Sequence, residues 1–433
     1  MRKFCLAMCV ALGGAAVCYA QAAPVALNLQ QAEALALKNH PQILAAQNNA
    51  SAMNQKIAET RSAYYPTLQG DLTGSGGNIG ARIGAGYLSD SRLFNRFGDG
   101  ITLSQLISDF GRTPNLVAGS KLEANAAAQT AQATQYDVLV RVNQAYFGAL
   151  RAQALVRLAQ ETVKTRQYLV DQVTALYNSQ LRSEVDVSFA DVNLSQAKLM
   201  LLQAQAQVQS ANAELARSIG AQDVADYKLQ EQDLPPSPPA SPEDLVAQAL
   251  KARPELASLQ LSRDAAYKYE SAAKDLSNPT ASLVGVGGYM PYVDQITLPR
   301  VIPNEYAGAA VNVEIPILNG GLFKAQRQEA HFRALEADQR LRDEAESIAR
   351  DVRTAWASAS TAYQRLDVTA EMMREAALAL QLSQGRYNLN LNNIVELTTA
   401  QLNSTSAEIE NLNAKYDYQG AYATLQYTYG GLR

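Results

Sequence analysis

The chain has almost nothing with which to do covalent or metal chemistry. Its 433 residues include two histidines, His40 and His331, and three cysteines, Cys5, Cys9 and Cys18. No nucleophile, base and orienter constellation stands out, and no metal-ligand cluster. An enzyme, a cofactor site and a metal site are therefore not expected. His40 precedes Pro41 in a helix-end context and reads as a surface or capping residue. No GxxxxGK[ST] loop occurs, so any energy the protein uses must come from a partner. The net charge of −4 comes without a basic tail and leaves no electrostatic footprint for nucleic acid. Beyond the N-terminus, no run reaches the roughly 18 apolar residues of a membrane helix.

Residues 1–22 read as a secretory signal peptide. Arg2 and Lys3 form the charged start, Phe4–Val17 the apolar run, and Ala20-Gln21-Ala22 the cleavage site. All three cysteines lie within it, so the exported chain would carry no thiol and no disulfide. Lipidation at Cys18 is not expected, because Val17 stands where a lipobox requires a small residue. An exported chain without membrane helices is secreted, periplasmic or a β-barrel.

What the sequence does have is a duplication. ALALKNHPQILAAQ (Ala34–Gln47) returns as AQALKARPELASLQ (Ala247–Gln260), with Pro41 on Pro254 at an offset of 213. LYNSQLRSEVDVSFA (Leu176–Ala190) returns as RYNLNLNNIVELTTA (Arg386–Ala400), with Tyr177 on Tyr387 at an offset of 210. Tandem copies are usually an architecture, since each must pack on another to bury its apolar face. The first repeat is expected over 23–220 and the second over 243–433. A proline-rich linker, 221–242, joins them, its stiffest part being DLPPSPPASP (Asp233–Pro242).

Each repeat reads as a helix, a strand pair and a long helical hairpin. In the first, Leu29–Ala63 is helical in pattern and Pro66 ends it. The strand pair occupies 66–110. Asn115–Tyr177 holds no proline and only two glycines, and Glu184–Ser218 is helical after a short break. In the second, Pro242–Leu276 is helical, the strand pair occupies 279–316, and Gly321–Gln384 and Ile394–Tyr427 form the hairpin. Helices this long usually pack side by side as a coiled coil or bundle. The strand segments alternate apolar and polar residues. Leu68 and Leu72 oppose Gln69 and Asp71, Leu103 opposes Thr102 and Ser104, and Val311 and Val313 oppose Asn312 and Glu314; Leu283 lies in a segment that alternates less cleanly. Period two suits a barrel strand between lipid and water. A soluble β-domain inserted in a helical protein would show the same alternation. Tyr64, Tyr65, Tyr289, Tyr292 and Tyr306 sit at the segment ends, as in an aromatic girdle. Four strands cannot close a barrel, so a barrel requires oligomerisation.

With these features the chain resembles the TolC-like outer-membrane factors. The resemblance covers nearly the whole exported chain. It includes LNLQQAEALALKNHPQILAAQ, the strand-to-helix turns LSQLISDFGR (Leu103–Arg112) and VEIPILNGGLFKAQ (Val313–Gln326), and both YN hairpin tips. It implies a mixed α and β fold: a homotrimer whose three protomers, four strands each, form one twelve-strand outer-membrane β-barrel, continued by a periplasmic α-helical barrel. It implies a passive exit duct of the Gram-negative outer membrane for a tripartite efflux pump or type I secretion system. The partners would be outer-membrane lipid, a periplasmic adaptor and an inner-membrane transporter. Lipid would meet Leu68, Leu72, Leu103, Leu283, Val311 and Val313.

The resemblance also implies a periplasmic gate at the tips Tyr177–Asp186 and Tyr387–Glu396. Asp186 matches a linking aspartate of the first hairpin, and Tyr387 matches its tyrosine partner in the second. Glu396 matches the first acidic-ring position, with Glu in place of Asp, and the second ring position is Thr399. The family's arginine is Asn392 here, while its repeat counterpart is Arg182, so the cation would have moved to the other hairpin. The tip glycine of the family is replaced by Gln180 and Asn390. The competing reading is a secreted or periplasmic coiled-coil scaffold or adhesin, which would have no use for duplicated strand pairs.

Overall fold

The computed structural model describes residues 25–78, 95–221, 226–293 and 304–431. The expected signal peptide and Cys18 lie outside those residues. The elements run β1 (Val25–Leu27), α1 (Leu29–Asn39), α2 (Pro41–Arg61), β2 (Thr67–Ser75), β3 (Arg96–Ser108), α3 (Arg112–Asn178) and α4 (Glu184–Ser218). They continue with β4 (Tyr227–Leu229), α5 (Glu243–Ala252), α6 (Pro254–Lys274), β5 (Thr280–Val293), β6 (Glu305–Glu314), α7 (Leu322–Asn388) and α8 (Ile394–Thr428). The order from α1 to α4 recurs from α5 to α8. The long helices α3 and α7 each have 67 residues, and α4 and α8 each have 35.

The helix expected over Leu29–Ala63 is two helices. Pro41 lacks an N–H and disfavours helical backbone at the residue before it, so the chain breaks at His40 and restarts. The His40 backbone is extended, and its Nδ1 accepts the Gln42 N–H at 3.2 Å, which makes it a helix cap. It is also buried rather than at the surface. Pro254 divides the second copy in the same way, at Arg253. Among the described residues, no helix is long and apolar enough to cross a membrane.

The chain separates into two compact units. One comprises residues 36–144, 235–372 and 417–433 and holds the large sheet. Its core includes Val246, Ala249, Leu256, Ile348 and Val352. The sheet order is β2-β3-β5-β6, antiparallel throughout. Leu68 faces Leu103, Leu103 faces Gly285, and Leu283 faces both Gln105 and Val311. Because side chains alternate along a strand and directly paired residues share a face, Leu68, Leu72, Leu103, Leu283, Val311 and Val313 lie on one face. Gln69, Asp71, Thr102, Ser104, Ser282, Asn312 and Glu314 lie on the other. Both outer strands, β2 and β6, are exposed along their whole length.

The other unit comprises residues 1–35, 145–234 and 373–416. Here β1 pairs in parallel with β4, Val25 opposite Tyr227, a contact the sequence did not suggest because β4 lies in the expected linker. Tyr146 of α3 secures it. The fully buried phenol donates to the Gln230 carbonyl at 2.7 Å and accepts the Gln230 N–H at 3.1 Å, while the Leu27 carbonyl lies 3.1 Å away. Removing one buried hydrogen-bonding oxygen costs about 1–3 kcal/mol. Tyr146→Phe should therefore loosen this clasp and speed tryptic cleavage at Lys228, the exposed residue of β4. Equal cleavage of the variant and the parent would show that the phenol does not secure the clasp.

Candidate functional site: the hairpin tips

Both hairpin tips lie in the second unit and are built alike. At the first, the Leu181 N–H reaches back to the Leu176 carbonyl at 2.9 Å and the Gln180 N–H to Tyr177 at 2.8 Å. At the second, Leu391 reaches Arg386 at 2.8 Å and Asn390 reaches Tyr387 at 3.1 Å. This is the Schellman ending of a helix, which needs a left-handed residue at its centre. Gln180 and Asn390 supply it at φ 58° and 59°. The glycine is absent from the sequence, but the conformation that glycine would favour is kept, at a cost that Asn bears better than Gln.

The next helices are capped differently. Ser183 and Asp186 form a capping box at α4: the Ser183 N–H donates to the Asp186 carboxylate at 3.0 Å, and the Ser183 Oγ accepts the Asp186 N–H at 3.3 Å. The Ser183 hydroxyl also lies 2.9 Å from that carboxylate. Asp186 is thus spent on its own helix. At α8, the Asn393 side chain accepts the Glu396 N–H at 2.9 Å, which leaves the Glu396 carboxylate for Arg386 at 3.5 Å across a half-exposed surface.

Arg182 ties the tips together, alongside a longer contact from the Gln172 amide to the Asn388 side chain at 3.4 Å. Its guanidinium stacks 4.1 Å from the centroid of the Tyr387 ring, and its Nη2 donates to the Tyr387 carbonyl at 2.8 Å. A cation over an aromatic face is attracted by the ring quadrupole, and one at a helix C-terminus meets the negative end of the macrodipole. Both favour Arg182 against the last turn of α7. The Tyr387 ring is only 1% exposed and packs with Leu169, Val173, Ile394 and Leu397. Its hydroxyl has no hydrogen-bond partner among the described residues. Burial raises the Tyr387 pKa, with the Asp186 charge adding to the rise and Arg182 opposing it. The Asp186–Tyr387 link implied by the resemblance is not formed within the chain, and no ion pair joins Arg182 to Asp186. Tyr177, the counterpart of Tyr387, is 41% exposed. Asn392 turns back to its own hairpin and donates to the Ser383 carbonyl at 3.0 Å.

A second polar feature lies further up the same unit. Arg166 of α3 is buried, one of its guanidinium nitrogens has no partner, and burial lowers its pKa. It borders a cavity of about 260 Å³ also lined by Gln401, Thr405 and Glu408 of α8. The sequence signal was available: Leu158, Thr162, Arg166, Leu169 and Val173 share one helical stripe, and an arginine breaks it.

Residues 33–221 and 245–431 match the family described as outer membrane efflux protein. The chain is 27% identical over 427 residues to the alkaline protease secretion protein AprF of Pseudomonas aeruginosa, covering 94% of this chain and 85% of that one. It is 26% identical over 406 residues to the outer membrane protein TolC of Vibrio cholerae, covering 90% and 88%. Among solved structures it resembles CusC with a TM-score of 0.79 and 18% identity, over 93% of this chain and 92% of that one. The chain therefore belongs to the outer membrane efflux protein family, whose members are outer-membrane channels for efflux or secretion and not enzymes.

Proposed function

We propose that three copies assemble into one duct, with a twelve-strand barrel in the outer membrane and the long helices extending it through the periplasm. The observation that carries this is the four-stranded sheet. Its outer strands β2 and β6 each present an unpaired edge, and its faces are exposed. Hydrocarbon tolerates no open sheet edge, and four strands are too few to close. Two tandem repeats, 23–220 and 243–433, give each protomer two strand pairs and two hairpins. The duct is passive, and the driving force comes from an inner-membrane transporter through a periplasmic adaptor. AprF is named for secretion of a protease, while the BepC relative of Brucella suis is named for efflux, and one duct architecture suits either cargo.

The apolar face of the sheet meets lipid and the polar face meets water. A lysine on the lipid face at the midplane costs about 2–4 kcal/mol. Val311→Lys should lower the yield of outer-membrane trimer, and Asn312→Lys, one residue along and on the other face, should be tolerated. Equal tolerance would reverse the assignment of faces.

The tips are the periplasmic gate, with Tyr177, Arg182, Asp186, Tyr387, Asn392 and Glu396 as its residues. Arg182 supports this assignment, because it clamps one hairpin to the other through Tyr387. A contact made only in the closed state biases the population toward it. Arg182→Ala should raise single-channel conductance in planar bilayers and admit large antibiotics. Arg182→Lys, which keeps the charge but not the planar stack, should give an intermediate value. Unchanged conductance in both variants would place the gate elsewhere.

Glu396 supplies an acidic ring around the threefold axis, partly offset by Arg386. Such rings favour cations. Glu396→Gln should reduce cation selectivity, and Arg386→Gln should increase it. Identical reversal potentials for Glu396→Gln and the parent across a salt gradient would take the ring out of the conduction path.

A further inference from the structure

Arg166 lies about three helical turns before the end of α3, in a stripe whose other members are apolar or hydroxyl-bearing. It is only 7% exposed. Unlike lysine, an arginine does not escape burial by losing its proton, because its pKa lies too far above neutrality. Burial pulls that pKa down and the charge of Glu408 pulls it back up, but the group stays a cation. A buried cation costs stability unless a countercharge stands close by.

The chain does not bring one to it. Arg166 makes no ion pair among the described residues. Two carboxylates, Glu161 and Glu408, line the same cavity of about 260 Å³. Glu161 lies 3.9 Å from Lys164 on its own helix, and Glu408 accepts the Ser404 hydroxyl at 3.3 Å within its own. The neutral groups are committed as well. Thr162 and Thr165 donate to the Leu158 and Glu161 carbonyls at 2.8 and 2.9 Å, and Thr405 donates to the Gln401 carbonyl at 3.0 Å. Thr405 also accepts from one guanidinium nitrogen, Nη2, at 3.4 Å. Two buried polar atoms of residues lining this cavity then have no hydrogen-bond partner among the described residues: Arg166 Nη1 and Gln401 Oε1. One belongs to α3 and the other to α8. A half-turn of the Gln401 carboxamide exchanges its oxygen for its NH2, and no hydrogen bond of that oxygen is lost. A charged donor and a neutral donor then serve one cavity from two helices.

We infer that this cavity is a small-anion site, which takes a chloride-sized monovalent ion between Arg166 Nη1 and the Gln401 carboxamide. The charges choose the valence. A singly charged ion neutralises Arg166, whereas a phosphate dianion would leave a net negative charge beside Glu161 and Glu408. The donor count agrees, since two donors suit a sphere better than the several oxygens of an oxyanion. Water would satisfy both atoms but leave the charge in place. The bound ion braces α3 against α8 within the hairpin-bearing unit. The inference stands on this cavity alone, apart from the trimeric and gated readings above.

Thermal unfolding of the full chain, purified in detergent, tests this when sodium chloride or bromide replaces sodium gluconate at constant ionic strength. A ligand that binds only the folded state raises the unfolding midpoint with the logarithm of its concentration. The parent should show that rise in both halides relative to gluconate. Arg166→Met should lose the dependence, whatever its own midpoint, because exchanging a buried charge for an apolar chain shifts stability on its own account. Glu408→Gln removes a competing negative charge and should bring the rise at several-fold lower halide. Bromide scatters anomalously and should give a peak beside Arg166 Nη1 in crystals of the parent, and none there in Arg166→Met. Equal midpoints of the parent in halide and gluconate would mean water alone at the site and would overturn the inference. A parent crystal without the peak does the same, and a halide dependence that survives in Arg166→Met places the ion elsewhere. A Glu408→Gln chain that is destabilised and indifferent to halide also overturns it, because Glu408 would then be the countercharge that Arg166 uses.

Discussion

Everything in the sheet-bearing unit follows from the requirement that a backbone in hydrocarbon pair all its polar groups. A helix meets it internally and a sheet meets it only by closing. Among the described residues this unit's sheet has four strands, with the outer two exposed throughout. The grouping of Leu68, Leu72, Leu103, Leu283, Val311 and Val313 on one face makes the same demand from another direction, although Val284 and Val286 of β5 lie on the other face. An isolated four-stranded sheet of this composition would be an aggregation hazard in the periplasm. In the proposed trimer the hazard and the means of assembly are the same feature.

The hairpin-bearing unit answers to a different constraint. Helices of 67 and 35 residues recur in both halves with matching ends, so the two hairpins reach their tips equivalently and can be compared residue by residue. Against that background their differences carry meaning. Asp186 and Asn393 cap their helices, Asn392 folds inward, and Arg182 crosses to the backbone of the other hairpin, where Gln172 also reaches Asn388. The two tips are built alike, and only one of them carries an arginine at this position.

Much of this was legible in the sequence because it is periodic. Glu184–Ser218 is helical to the residue, since the chain breaks there at a cap motif. The six apolar strand positions share a face because alternation fixes parity wherever register is known. What was not legible depends on contacts between distant segments. The three-residue pairing of β1 with β4 leaves no pattern in so short a stretch, and its strongest clue, the phenol of Tyr146, reads as one more apolar position in a helix. Pro41 and Pro254 were visible as aligned residues, yet their consequence, a break and restart, was masked by helical patterning on both sides. Arg182 could be matched to Asn392 by offset, but its acceptor on Tyr387 is a backbone atom, which a sequence cannot nominate.

The β1–β4 clasp also imposes an order on biogenesis. The strand Val25–Leu27 is made early, and its partner Tyr227–Leu229 follows about half a chain later. Until then the N-terminal strand has no place to go, and closing so long a loop is paid in entropy before any contact rewards it. The clasp therefore cannot form until residue 229 has emerged, and the N-terminal strand stays unpaired until then.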